Sequence, residues 1–234
     1  VEAGLVEATM AGHYELDLLA LLKAILAGAD WSSLGVDTLY GKARIVSTDP
    51  NRSNSGFMFS GLVLSLLAGD VADLSALARY GDDAHAIFAG MGLKSSSSGK
   101  LFDQYLAGGY GAEPMVVGYE NQLVEWILAD PERWKRIAGS TQPKPVILYP
   151  RPTAYSAHPL ITIAPESDRL LEAMLSEPLQ TLAWTRHGFR GPLGAVSGAA
   201  DAAVAGLLPD QLGAILPIPA ADVMLSYLDK LATS

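Results

Sequence analysis

An α/β fold with largely parallel strand pairing is what this chain predicts, and three features of the sequence lead there. Short apolar runs alternate with helical patterns, one strand, polar turn, helix order occurs twice, and proline-bracketed β-prone runs follow late in the chain. Half of the 234 residues are hydrophobic, which is enough for one large domain or two small lobes with cores of their own.

The elements follow in order. Tyr14 to Trp31 carries Leu18, Leu19, Leu22, Ile25 and Leu26 at helical spacing and stops at Gly28. Ala43 to Thr48 is a short β-prone run. Ser47 to Ser55 then crowds hydroxyls, amides and Arg52 ahead of Gly56 to Leu67, which is apolar nearly all round, as expected of a helix packed on both sides. "DLSALARY" and "DAHAIFAGMGL" read as further helix pieces, and "SSSSGKLFDQYLAGGYGAE" as a serine-rich turn, a short helix and a glycine-rich loop. Met115 to Gly118 repeats the strand, Tyr119 to Asn121 the polar turn, and an amphipathic helix follows. Pro131 begins another short helix containing Trp134. Val146 to Tyr149 and Leu160 to Ala164 predict two strands. A helix pair broken at Pro178 and stopped by Gly188 comes after them.

Composition removes several function classes. Sixteen basic residues stand against 25 acidic ones, a net charge of −9, and no basic stripe interleaves with aromatics, so nucleic acid is not the partner. There is no cysteine, hence no thiolate metal site and no cysteine nucleophile. His13, His85, His158 and His187 are too scattered for ligand spacing, so no metal and no cofactor is expected. "GMGLKSSSSGK" fails the phosphate-loop template, because Lys94 stands where a glycine is needed and Leu101 follows Lys100. No G-x-S-x-G elbow is present. Glu113, Glu120 and Glu125 could pair as acid and base, but solvation of a helix face is the simpler account of Glu125. The expectation is a protein that is not an enzyme. The apolar run Gly56 to Ala68 is too short to span a bilayer. "VEAGLVEATM" has no initiator Met and no leader pattern, which fits a processed or trimmed chain.

The candidate chemistry lies at the two polar junctions. Where a strand gives way to a helix, the first N–H groups and the positive end of the helix dipole favour an anion or a polar ligand atom. Ordinary capping explains one such junction. A second of the same kind strengthens the ligand reading. Tyr119 and Tyr155 lie in turns, where an amphipathic ring can line a cleft. Trp126, Trp134 and Trp184 sit in helical apolar patterns and read as core or groove-filling residues.

Four segments carry a family resemblance. "TDPNRSNSGFMF", "PMVVGYENQLVEW", "VILYPRPTAYSAHPLITI" and "RLLEAMLSEPLQTLAWTRHGFRG" resemble, in order, elements of type II extracellular (periplasmic) solute-binding proteins of bacterial ABC transporters. "PAADVMLSYLDKL" is compatible with their closing helix. The resemblance implies a two-lobed type II periplasmic-binding-protein-like fold with mixed, largely parallel sheets, lacking the N-terminal strand elements. Residues 1–68 would supply part of the first lobe, 69–145 the second lobe, and 146–234 the return to the first lobe with the C-terminal helices. The ligand residues it implies are Arg52, Ser53, Asn54 and Ser55 from one side and Tyr119, Glu120 and Asn121 from the other, with Ser97 and Tyr155 beside them. "SNSG" departs from the family's usual order, since Phe57 stands where a hydroxyl follows the glycine. The expected function is capture of a small polar or anionic solute outside the cytoplasm, for transport or sensing. The chain would then be extracellular or periplasmic, tethered to the membrane, with a membrane permease or a membrane-anchored protein as partner. The alternative is a ligand-free interaction domain of a membrane-anchored protein.

Overall fold

The computed structural model describes residues 4–9, 12–92, 94–192 and 201–232. Parts of the opening "VEAGLVEATM" and Leu93 of the phosphate-loop look-alike lie outside the described residues. In order, β1 (Val6–Ala8), β2 (Tyr14–Leu16), α1 (Leu18–Leu26), α2 (Asn54–Ala68), α3 (Leu74–Ala89), α4 (Ser98–Gly108), α5 (Glu120–Ala129) and α6 (Pro131–Ala138) lead to β3 (Leu148–Pro150). Then come α7 (Asp168–Leu175), α8 (Glu177–His187) and α9 (Ala221–Ala232).

The predicted two-lobed α/β architecture with largely parallel sheets is overturned. Among the described residues the structure is 49% helical with a single three-stranded mixed sheet, β1 antiparallel and β3 parallel to the central β2. The reason is visible strand by strand. Ala43 to Thr48 is buried except at Arg44, yet it meets Met115 to Gly118 at a single parallel bridge, Val46 to Val116. Leu160 to Ala164 has no strand partner among the described residues, and Ile161 and Ile163 are exposed. Flanking Pro159 and Pro165 remove donors on both sides of that run. A β-prone run becomes a sheet only where another edge is offered, and here helices take up the apolar surface instead. Val146 to Tyr149 pairs later than expected, from Leu148. Tyr14 to Leu16, placed in the first helix by its spacing, is the central strand.

Local chemistry explains the helix boundaries. The Asp17 carboxylate accepts from the Ala20 N–H at 2.8 Å, so α1 starts one residue later and buries Leu18, Leu21 and Leu22. Asp73 caps α3 in the same way through Ala76 N–H, and Asp130 caps α6 through Arg133 N–H with Pro131 in the first turn. The Ala76 N–H, followed by the Ser75 hydroxyl, holds the Asp73 carboxyl below its ordinary pKa. Gly69 and Gly188 end α2 and α8 in the left-handed region, at φ 82° and 70°.

Two hydrophobic cores result. One joins β2, α1, α2, α3 and α9 around Leu22, Val63, Leu64, Phe88 and Tyr227. The other joins α5, α6 and α8 around Val124, Ile127, Trp134 and Trp184, with Val204 and Leu208 from the segment before α9. Helix α2 is buried nearly all round, and Gly56 in its first turn explains how it fits. A β-carbon there would lie 2.4 Å from the Thr48 carbonyl oxygen and 2.8 Å from the Pro50 nitrogen. Backbone atoms cannot step aside as a flexible side chain would. Gly56→Ala should therefore lower stability by about 1–3 kcal/mol, the usual cost of overpacking, read from the shift in urea midpoint at unchanged slope.

Candidate functional site

The two polar junctions meet. Asn54, the first residue of α2, donates from Nδ2 to the Tyr119 hydroxyl at 3.1 Å and to Ser156 Oγ at 3.2 Å. Tyr119 immediately precedes α5, so this contact links an α2 end rooted in the first core to an α5 end rooted in the second. The Val46 to Val116 bridge lies just upstream of both, with Val46 N–H donating to Met115 O and Val117 N–H to Val46 O. The Asp49 N–H donates to Ser95 O at 2.9 Å and so brings the serine turn ahead of α4 to the same region.

The surplus of polar residues before Gly56 has several uses. Asp49 accepts from Asn51 N–H, and Asn51 in turn donates to Leu228 O in α9, so these two build the turn. Ser55 is buried in a chain of hydroxyls, 2.7 Å from Thr48 Oγ1 and 3.0 Å from Ser53 Oγ. Ser53 and Ser97 occupy the positions before α2 and α4, yet neither side chain caps its helix. At α5 the Gln122 amide oxygen accepts the Tyr119 N–H at 2.9 Å, while the tyrosine ring leaves that end uncapped. Arg52 is exposed and Asn121 half-buried. What remains open at the surface is Asn54 with Tyr119, Ser156, Ser53 and Arg52: neutral donors and acceptors with one cation beside them.

Two of the sequence-derived candidates face elsewhere. The Glu120 carboxylate is held by Arg190, with Nε on Oε1 at 2.5 Å and a second nitrogen on Oε2 at 3.2 Å, and it also accepts the Tyr149 hydroxyl at 2.7 Å. The Arg190 side chain is only 2% exposed, stacks on Trp184 and donates to Pro209 O at 2.7 Å. Glu120 is thus part of an internal ion pair. The Tyr155 hydroxyl donates to Gly191 O at 3.1 Å, and the residue after it, Ser156, makes the contact with Asn54. Sequence reasoning missed Thr48 and Ser156; only their place beside a marked turn residue signalled them. Glu125 is paired with His187 at 2.8 Å on the surface. Among the described residues no group of three His, Asp or Glu is arranged to hold a metal ion.

Two cavities of about 460 Å³ lie away from these residues. One is lined by Glu7, Glu15, Asp17, Asp70 and Arg151 with Leu16, Leu66 and Leu216, and the other by the 28–45 loop with α3. In the first, Asp17 already caps α1, and Glu15 is paired with Arg151 and His13. No protein-family model, curated protein or solved structure matches the chain.

Two predictions come from the ionic network. Glu120→Ala strands a buried guanidinium and should cost about 3–5 kcal/mol in urea unfolding, whereas Glu120→Leu with Arg190→Met should cost far less. The second concerns alkaline pH. Burial first, then the charge of Glu120, pushes the Tyr149 phenol well above its ordinary pKa, and burial alone does the same for Tyr227. In the unfolded chain both ionise near pH ~10 while the native state keeps their protons. Stability is therefore full below that pH and falls as pH rises above it. The Y149F/Y227F variant should lose stability less steeply than the parent, by up to ~2.7 kcal/mol per pH unit for two protons, in urea midpoints taken across that range.

Proposed function

We propose that this chain is a non-enzymatic binding protein that captures a small polar or anionic solute where the first turns of α2 and α5 meet. The observation that carries the reading is the Asn54 to Tyr119 hydrogen bond, which joins two polar helix entries 65 residues apart at the boundary between the two cores. The hydroxyls of Tyr119 and Ser156 and the Asn54 amide are neutral and surface-facing, and the helix ends behind Ser53 and Ser97 lack a side-chain cap. A solute carboxylate or hydroxyl would take the place of water at these donors, with Arg52 supplying a positive charge at the rim. The work proposed is uptake or sensing outside the cytoplasm, with a membrane permease or a membrane-anchored protein receiving the loaded chain. Among the described residues no helix is long and apolar enough to cross a membrane.

A second reading, an interaction domain without a small ligand, is favoured by one observation. Ile161 and Ile163 are 79% and 97% exposed, and Leu170 and Leu175 of the following α7 are exposed too. Large apolar side chains left in water are what a contact surface would use.

Thermal-shift measurements with oxyanions, amino acids, sugars and peptides separate the two. A solute bound by the folded state must raise the melting temperature by mass action, by an amount that grows with its concentration. Ser53→Ala with Asn54→Ala should abolish that shift and leave the ligand-free melting temperature within a few degrees of the parent. An unchanged shift in the double variant overturns the site, and no shift with any solute moves the interaction-domain reading ahead.

A further inference from the structure

The second cavity is a separate matter from the α2 and α5 entries. It lies between the end of α1, the loop through Trp31 and Tyr40, and α3, and its volume of about 460 Å³ is in the range of small-molecule sites. Its walls are apolar, formed by Trp31, Leu39, Ile45 and Ile87. The charged residues lining it are Lys42 and Arg44, both cations. In a chain of net charge −9, the charged groups lining this cavity are two cations, each paired with a carboxylate, Asp30 or Glu113, that lies outside the lining.

Both cations are exposed and already partnered. Lys42 Nζ donates to the Gly28 carbonyl at 2.5 Å and lies 3.3 Å from the Asp30 carboxylate, and the Lys42 side chain is 68% exposed. Arg44 meets both oxygens of Glu113 at 3.3 Å and the Ala112 carbonyl at 3.4 Å, with its side chain 45% exposed. Exposed pairs of this length contribute little to stability, so either cation can turn to a competing anion at small cost. Neither Asp30 nor Glu113 lines the cavity. Apolar walls with cations at the mouth match one ligand class, an amphipathic organic acid whose hydrocarbon or aromatic body fills the cavity while its carboxylate meets Lys42 and Arg44. Trp31 is 93% buried by the complement of its 7% exposure, so it forms a fixed wall. Tyr40, 94% exposed at the rim, has a face free to cover the body of the ligand.

We propose that this cavity is a binding site for small amphipathic carboxylates. The test uses octanoate, octylamine and octanol, which share one hydrocarbon body, in calorimetric titrations of the whole chain below the micelle concentrations of the two ions and the solubility limit of octanol. Octanoate should bind saturably, octanol at least tenfold more weakly and octylamine not at all, and added salt should weaken octanoate alone. Lys42→Met with Arg44→Met should reduce octanoate affinity at least tenfold and leave octanol unchanged. Equal binding of octanoate and octylamine, no saturable octanoate binding, or octanoate affinity untouched by the charge variant would each overturn the assignment.

Discussion

The approach of Gly56 to the backbone of Thr48 to Pro50 is the constraint on which the rest of the structure turns. With no β-carbon in the way, the first turn of α2 packs directly on the chain that precedes it, and Thr48 and Ser55 close the gap with a buried hydroxyl contact. The start of α2 is fixed by that approach, and α2 in turn provides the surface on which α1 and α3 assemble. The same approach holds Asn54 at the edge of the first core, facing Tyr119. A side chain at position 56 would have to push that edge outward, and the contact between the two junctions would go with it.

The second core depends on a different kind of interaction. Glu120 and Arg190 are a charge pair taken largely out of water, and such pairs repay their desolvation only when every remaining donor and acceptor is used. Here the remainder is used well. Tyr149 adds a hydroxyl to the carboxylate, Pro209 and Asp210 take the outer guanidinium hydrogens, and the Trp184 ring covers its face. The network therefore ties α5 to β3, to the end of α8 and to the 209–210 segment. It also withdraws Glu120 from the surface.

The sequence showed helices far better than it showed sheets. Leu18, Leu22 and the all-apolar face of α2 announce themselves through spacing. Whether Ala43 to Thr48 or Leu160 to Ala164 becomes a strand is decided by a partner distant in the chain, and no local pattern carries that information. The same limit divides the site. Asn54 and Tyr119 stand at polar turns that open helices, so each is legible as a candidate, while their meeting depends on contacts between positions 65 residues apart. Ser55 and Glu120 stand at the same turns, but one is claimed by Thr48 and the other by Arg190, 70 residues further on. Tyr155 was chosen for its ring, while the geometry uses the hydroxyl of the next residue.

The two kinds of contact, neutral at the boundary and ionic beneath it, differ in how easily they can be exchanged. An exposed hydrogen bond such as Asn54 to Tyr119 is worth about 1 kcal/mol net, because water offers nearly the same partner. A solute that supplies its own acceptor can displace it without disturbing either core. The buried Glu120 to Arg190 pair has no such freedom, since losing one member leaves a desolvated charge. A binding site built at the replaceable contact and braced by the irreplaceable one can open to a ligand while α5 keeps its position. The polar surplus ahead of Gly56 is split along the same line, with Ser55 and Asp49 committed to the fold and Asn54 left at the surface.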